Sequence, residues 1–97
     1  MKPKRLKVSL FVFFILLLVG CKEPAETAVP RLIQQLSSPV QRERSQAALE
    51  LARYGEEAKD AVPALIKTLK DPNGGVKSNA AFALRSIDTK EARNALK

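Results

Sequence analysis

Histidine and tryptophan are absent, cysteine occurs once, and aromatic side chains make up 5% of the 97 residues. Each shortage removes a class of chemistry. Without His there is no Ser-His-Asp relay and no Cys–His pair, and without a set of Cys and His ligands there is no zinc cluster of the usual kind. The lone cysteine, Cys21, forms no internal disulfide. So few aromatics leave no stacking platform for single-stranded nucleic acid. No catalytic residue, metal site or cofactor is expected, and the chain reads as a non-enzyme. Acidic residues are also in short supply, with 10 Asp and Glu against 17 Lys and Arg, for a net charge of +7. Lys2, Lys4, Arg5 and Lys7 precede every acidic residue; setting those four aside leaves thirteen bases against ten acids, a net +3. The surplus belongs to the leading segment, so composition does not point to a nucleic-acid partner.

The leading segment is an address rather than a fold. After the basic stretch, Val8 to Val19 contains no charged residue. A basic start followed by a short apolar run is the form of a secretory signal peptide. As a helix the run reaches roughly 18 Å, against roughly 30 Å for a bilayer's hydrocarbon core, so an uncleaved membrane span is the poorer reading. The run ends in Leu18-Val19-Gly20-Cys21. This tetrad resembles the lipobox of bacterial lipoproteins, in which a small residue precedes the cysteine whose thiol takes up a diacylglyceryl group. The resemblance implies cleavage after Gly20, acyl chains such as palmitate on Cys21, and a protein held on a membrane without spanning it, since two chains anchor stably. Residues 1–20 are then the signal peptide and 21–27 a lipidated cysteine and short tether. Lys22 stands where enteric lipoproteins retained at the inner membrane carry Asp, which leans toward the outer membrane. The expected place is the bacterial cell envelope, facing periplasm or exterior.

From residue 28 the chain matches itself at an offset of 33. Ala28-Val29-Pro30 aligns with Ala61-Val62-Pro63, Leu32, Ile33 and Leu36 with Leu65, Ile66 and Leu69, and Pro39 with Pro72. Ser45, Ala47, Ala48 and Leu51 align with Ser78, Ala80, Ala81 and Leu84. A period in this range marks a solenoid array. Val29, Leu32, Ile33 and Leu36 have the i, i+3, i+4, i+7 spacing of one helix face, and their counterparts repeat it. Thr27 and Asp60 share a repeat position and are candidate helix caps, with Pro30 and Pro63 in the first turn. Alternatively the helix of the second unit starts near Glu57 and Pro63 kinks it. A second helix per unit carries Glu43, Ala47, Leu51 and Tyr54 in unit one and Val76, Ala80, Leu84 and Ile87 in unit two. Glu43 breaks the apolar rule, so either Val40 replaces it or unit one is a wet end cap. Gly55 reads as a helix C-cap. Asn73-Gly74-Gly75 is expected to delay the second helix of unit two. Asp88 and Glu91 suggest a capping box for a last helix, Thr89 to Lys97, whose Ala92, Ala95 and Leu96 cover the end of unit two.

The stretches Ala61 to Pro72 and Val76 to Leu84 resemble HEAT repeats, in particular the short bacterial type also seen in phycobilin lyases. The resemblance implies an all-α fold: a short α-solenoid over 28–97, with units 28–60 and 61–88 and a partial unit 89–97. It also implies a protein partner, since helical arrays of this kind bind through stacked helix faces. Two units and a fraction are few for such an array, so the expectation is either marginal stability or support from a partner or a second copy, the latter a homo-oligomer.

Asp60, Asp71 and Asp88 recur at helix starts, where capping accounts for them, and Glu56-Glu57 suits a helix N-terminus. Arg44 and Lys77 occupy equivalent second-helix positions, and Arg85 lies two turns after Lys77. These three form the candidate partner-binding strip, for an acidic protein or lipid headgroups. The leading function is a membrane-anchored interaction or scaffold module; the alternative is an accessory to, or remnant of, a lyase-type HEAT-repeat enzyme.

Overall fold

The computed structural model describes residues 23–97. Leu18, Val19, Gly20 and Cys21, which carry the lipidation reading, lie outside the described residues. Five α-helices follow in order: α1 (Ala25–Gln35), α2 (Gln41–Tyr54), α3 (Val62–Thr68), α4 (Gly74–Ile87) and α5 (Lys90–Ala95), with a 3-10 segment, Gly55–Ala61, between α2 and α3. No strand occurs among the described residues. The fold is an all-α solenoid of two helical hairpins and a short closing helix.

The 33-residue offset is obeyed most closely by the second helices. Both α2 and α4 contain 14 residues, and Gln41 and Gly74 start them one period apart. Asn73-Gly74-Gly75 therefore does not delay the second helix of unit two. The Asn73 side chain accepts the Val76 N–H at 3.0 Å and caps the helix at the unshifted position. Gly75 fits beneath that cap, since a Cβ there would stand 3.1 Å from Asn73 Oδ1.

The first helices depart from expectation at their starts. α1 begins at Ala25, so Ala25, Glu26 and Thr27 are helical rather than part of a tether. Pro24 (φ −64°, ψ 147°) occupies the cap position, and Thr27 is no cap: its hydroxyl donates back to the Pro24 carbonyl at 3.2 Å. Pro30 consequently sits inside the helix, on an exposed position. In unit two the 3-10 segment runs directly into α3, with Ala61 rather than Asp60 at the cap position, and Pro63 falls in the first turn of α3. At the other end Thr89, not Asp88, caps α5 by accepting the Ala92 N–H at 3.1 Å. Asp88 instead closes α4 in the left-handed region, φ 56°.

One continuous core joins the hairpins. Leu32, Leu51, Leu65, Leu84, Ile87, Val62 and Val76 are its largest fully buried side chains. The largest shared contact between helices is that of α2 with α4. Small residues line both helices: Ala47, Ala48, Ala80 and Ala83 are all fully buried. Ala92 from α5 is also fully buried, while Ala95 and Leu96 are half-covered. Glu43, the counterpart of buried Val76, is exposed, and its carboxylate accepts the Ser38 hydroxyl while its carbonyl accepts Gln35 Nε2 at 3.0 Å. Val40 does not replace it, being 50% exposed. The edge of unit one is the wet one.

Candidate protein-binding face

The three cations of the predicted strip do not share one environment. Arg44 is turned into the boundary between the repeats. Its Nε meets Asp71 Oδ2 at 2.6 Å, its Nη2 meets Asp71 Oδ1 at 3.1 Å, and its Nη1 donates to the Ser38 carbonyl at 2.9 Å. Asp71 in turn accepts the Asn73 N–H at 2.9 Å. The forked guanidinium thus ties the turn of unit one to the turn of unit two. The Arg44 hydrogen bond is the main reason the Asp71 carboxyl titrates below its ordinary value, with the Asn73 N–H second. Asn73, not Asp71, caps α4, and Asp71 serves the turn and the pair with Arg44 instead. Lys77 and Arg85 are exposed and have no ion pair among the described residues.

A second feature was not singled out from sequence. Leu49 on α2 and Phe82 on α4 are 43% and 48% exposed. They stand one period apart, at the same position of adjacent, packed second helices. Neither contributes to the Ala47–Leu51 or Ala80–Leu84 stripe that fills the core. Arg42, Gln46 and Arg53 share the Leu49 face by helical spacing and are exposed. Arg42 and Arg53 form no ion pair among the described residues. The face therefore offers two large apolar side chains on neighbouring ridges, with Arg42 and Arg53 beside Leu49 and Arg85 three residues after Phe82. The signal was present in the sequence: the offset that aligns the core leucines also aligns Leu49 with Phe82.

At the start of α1 the polar groups are paired locally. Arg31 bridges Glu23 at 2.6 Å, which lowers the titration of Glu23. The Tyr54 hydroxyl donates to the Glu23 carbonyl. A shallow hollow beside this knot is lined by Glu23, Glu26, Tyr54 and Glu57. Among the described residues no group of three acidic, Cys or His side chains is placed to hold a metal ion, and no helix is long and apolar enough to cross a membrane.

Stacked helical hairpins joined along their second helices, with an open face on those helices, define an α-solenoid repeat protein. The family profile of HEAT repeats matches residues 29–97. The chain belongs to the HEAT-repeat family. Comparison with curated proteins and with solved structures gave no match.

Proposed function

We propose that this chain is a lipid-anchored protein-binding module of the bacterial cell envelope, and that it works by binding rather than by catalysis. HEAT repeats generally mediate protein–protein interaction, which supports a protein partner. The observation that carries the binding face is the Leu49–Phe82 pair, two large apolar side chains exposed at equivalent places on adjacent helices. Isolated exposed apolar residues are ordinary, but a pair set by the repeat itself is a presented surface. Arg42 and Arg53 beside Leu49 favour a partner segment that combines apolar and acidic residues. Lys77 and Arg85 extend the cationic character toward the edge of α4, while Arg44 acts through the fold. The envelope location rests on the Leu18-Val19-Gly20-Cys21 tetrad and the apolar run before it.

The test is crosslinking in intact cells from a photoreactive residue at position 82, comparing the wild-type face with Leu49→Ser and with Arg42→Glu/Arg53→Glu. One discrete crosslinked protein, weakened by both changes while helicity is kept, supports the reading. A crosslinked product indifferent to both changes, or none, removes this face from the function.

A further inference from the structure

The internal junction between the repeats describes a seat, and the outer edge of α4 carries the same seat uncovered. At the junction, α2 presents Arg44, Ser45, Ala48 and Ala52, and α4 packs on it. Arg44 reaches forward to Asp71. Ser45 takes the Asn79 amide, Nδ2 to Oγ at 2.5 Å. One period later the corresponding residues of α4 are Lys77, Ser78, Ala81 and Arg85. Lys77, Ser78 and Arg85 are exposed and Ala81 is half-buried. A residue that reaches forward in unit one, a small polar partner for an amide and a flat alanine floor are all kept, and Arg85 replaces Ala52 at the rim.

The opposite edge of the array carries the complementary set. Asn79 of α4 meets α2 at Ser45, and buried Ala83 and Val76 lie about one turn to either side of Asn79. Their counterparts on α2 are Gln46, Glu50 and Glu43. An amide again stands where Asn79 stands, and carboxylates stand at the places of Ala83 and Val76. Laid on α4 as α4 lies on α2, the α2 of another molecule puts Gln46 over Ser78, as Asn79 meets Ser45, and brings Glu43 and Glu50, each about one turn from Gln46, to the edge that carries Lys77 and Arg85. Arg53, the counterpart of Ser86, comes over Asp88, the counterpart of Gly55; Gly55 and Ser86 are already neighbours, since a Cβ on Gly55 would lie 3.9 Å from the Ser86 carbonyl. Two observed neighbours, Asn79 with Ser45 and Ser86 with Gly55, thus fix one register, and the flanking charges on the two edges are opposite in sign.

We propose that a second copy of this chain docks head to tail, its α2 edge on the α4 edge of the first, and so lengthens the array. A repeat array is stabilised by nearest-neighbour interfaces, and this one has only two units to share them. Second helices carry most of the seat, because α2 with α4 is the largest contact between helices and α1 does not pack appreciably on α3. The chain also leaves α4 in a different direction from α2: Gly55 has ψ −132° and Asp88 has ψ 41° at nearly equal φ. A side-to-side pairing of like edges would bring Lys77 and Arg85 against themselves, so the contact is heterologous. The docking does not depend on lipid anchoring and does not use Leu49 or Phe82, although Arg53, Lys77 and Arg85 border both surfaces.

Sedimentation velocity on the full chain in a non-ionic detergent tests this. The expected result is self-association that grows with concentration and falls with salt. Lys77→Glu/Arg85→Glu and Glu43→Lys/Glu50→Lys should each weaken it by about tenfold or more. Mixing the two variants in equal amounts should restore it, because the all-acidic edges of one meet the all-basic edges of the other. Leu49→Ser/Phe82→Ser should self-associate as the wild type does, which separates this contact from the partner face. A wild type that stays monomeric throughout, a mixture that fails to regain association, or association lost in Leu49→Ser/Phe82→Ser would overturn the proposal. Circular dichroism on each variant confirms that the helices persist.

Discussion

Arg44 and Asp71, from different repeats, are joined by two hydrogen bonds at 2.6 and 3.1 Å, with side chains only 16% and 8% exposed. The pair makes the turn of each unit depend on the other. Its stabilising contribution has a defined pH window. Asp71 titrates below its ordinary value in the folded chain, so the contribution is complete above the unfolded carboxyl pKa, about 3.9, and is lost as pH falls through the lower folded value. Thermal melts between neutral and strongly acidic pH should show Asp71→Asn less stable at neutral pH, with a shallower loss of stability on acidification. Arg44→Ala should behave likewise. If Arg44→Ala leaves the melt unchanged while altering only partner capture, Arg44 belongs to the surface after all.

Gly55 and Asp88 are the residues of positive φ among those described, 57° and 56°, and they occupy the same repeat position at the ends of α2 and α4. Their ψ values separate them. Gly55 at ψ −132° lies outside the left-handed helical well, where a Cβ is strained, whereas Asp88 at ψ 41° lies within it. Gly55→Ala should cost about 1–3 kcal/mol. Asp88→Gly trades that mild strain against the Arg93 bridge, whose partners are more than half exposed, and should stay within about 1 kcal/mol of neutral. Urea titration of both variants measures the contrast.

Burial predicted from spacing can be tested in the same way. Leu65 and Leu84 are fully buried, and Leu49 is 43% exposed. Truncation of Leu65 or Leu84 to Ala should cost about 2–5 kcal/mol, while Leu49→Ala should stay within about 0.5 kcal/mol. Equal losses at all three positions would mean that Leu49 is covered in solution.

The repeat and its core stripes were legible because burial leaves a period: Leu32 and Leu65, and Leu51 and Leu84, recur wherever the same helix face meets the same neighbour. Helix starts were less legible because several residues compete to satisfy the same free N–H groups. Pro24 took the cap position from Thr27, and Thr89 took it from Asp88, through local backbone shape that spacing does not encode. The strip of Arg44, Lys77 and Arg85 shows a different limit. Equivalent positions carry equivalent directions, but not equivalent partners. Arg44 finds Asp71 in the next unit, while Lys77 has no such acid among the described residues. The Leu49–Phe82 pair obeys the same offset but lies off the core-facing stripe that helical spacing marks.

The folded domain begins close to its proposed lipid anchor. Glu23 lies two residues after Cys21. Its carboxylate is held by Arg31 at 2.6 Å and its carbonyl by the Tyr54 hydroxyl, and the helix begins at Ala25. The segment expected to serve as a free tether is thus largely part of the fold. A chain acylated on Cys21 would stand close to the bilayer with little slack. Fatty-acid labelling in a lipoprotein-competent host should mark the wild type and not Cys21→Ser. In labelled protein reconstituted into vesicles, the bonds following Lys22 should resist protease, and Arg31→Ala/Tyr54→Phe should expose them without loss of the helical signal. The Arg31–Glu23 bridge is itself partly exposed and screened, so high salt should move the wild type part of the way toward the variant. Absence of label in the wild type would remove the anchor. Rapid cleavage of labelled wild type at Lys22 would instead leave the anchor in place and show that the knot at Glu23 opens when the chain is attached to a membrane.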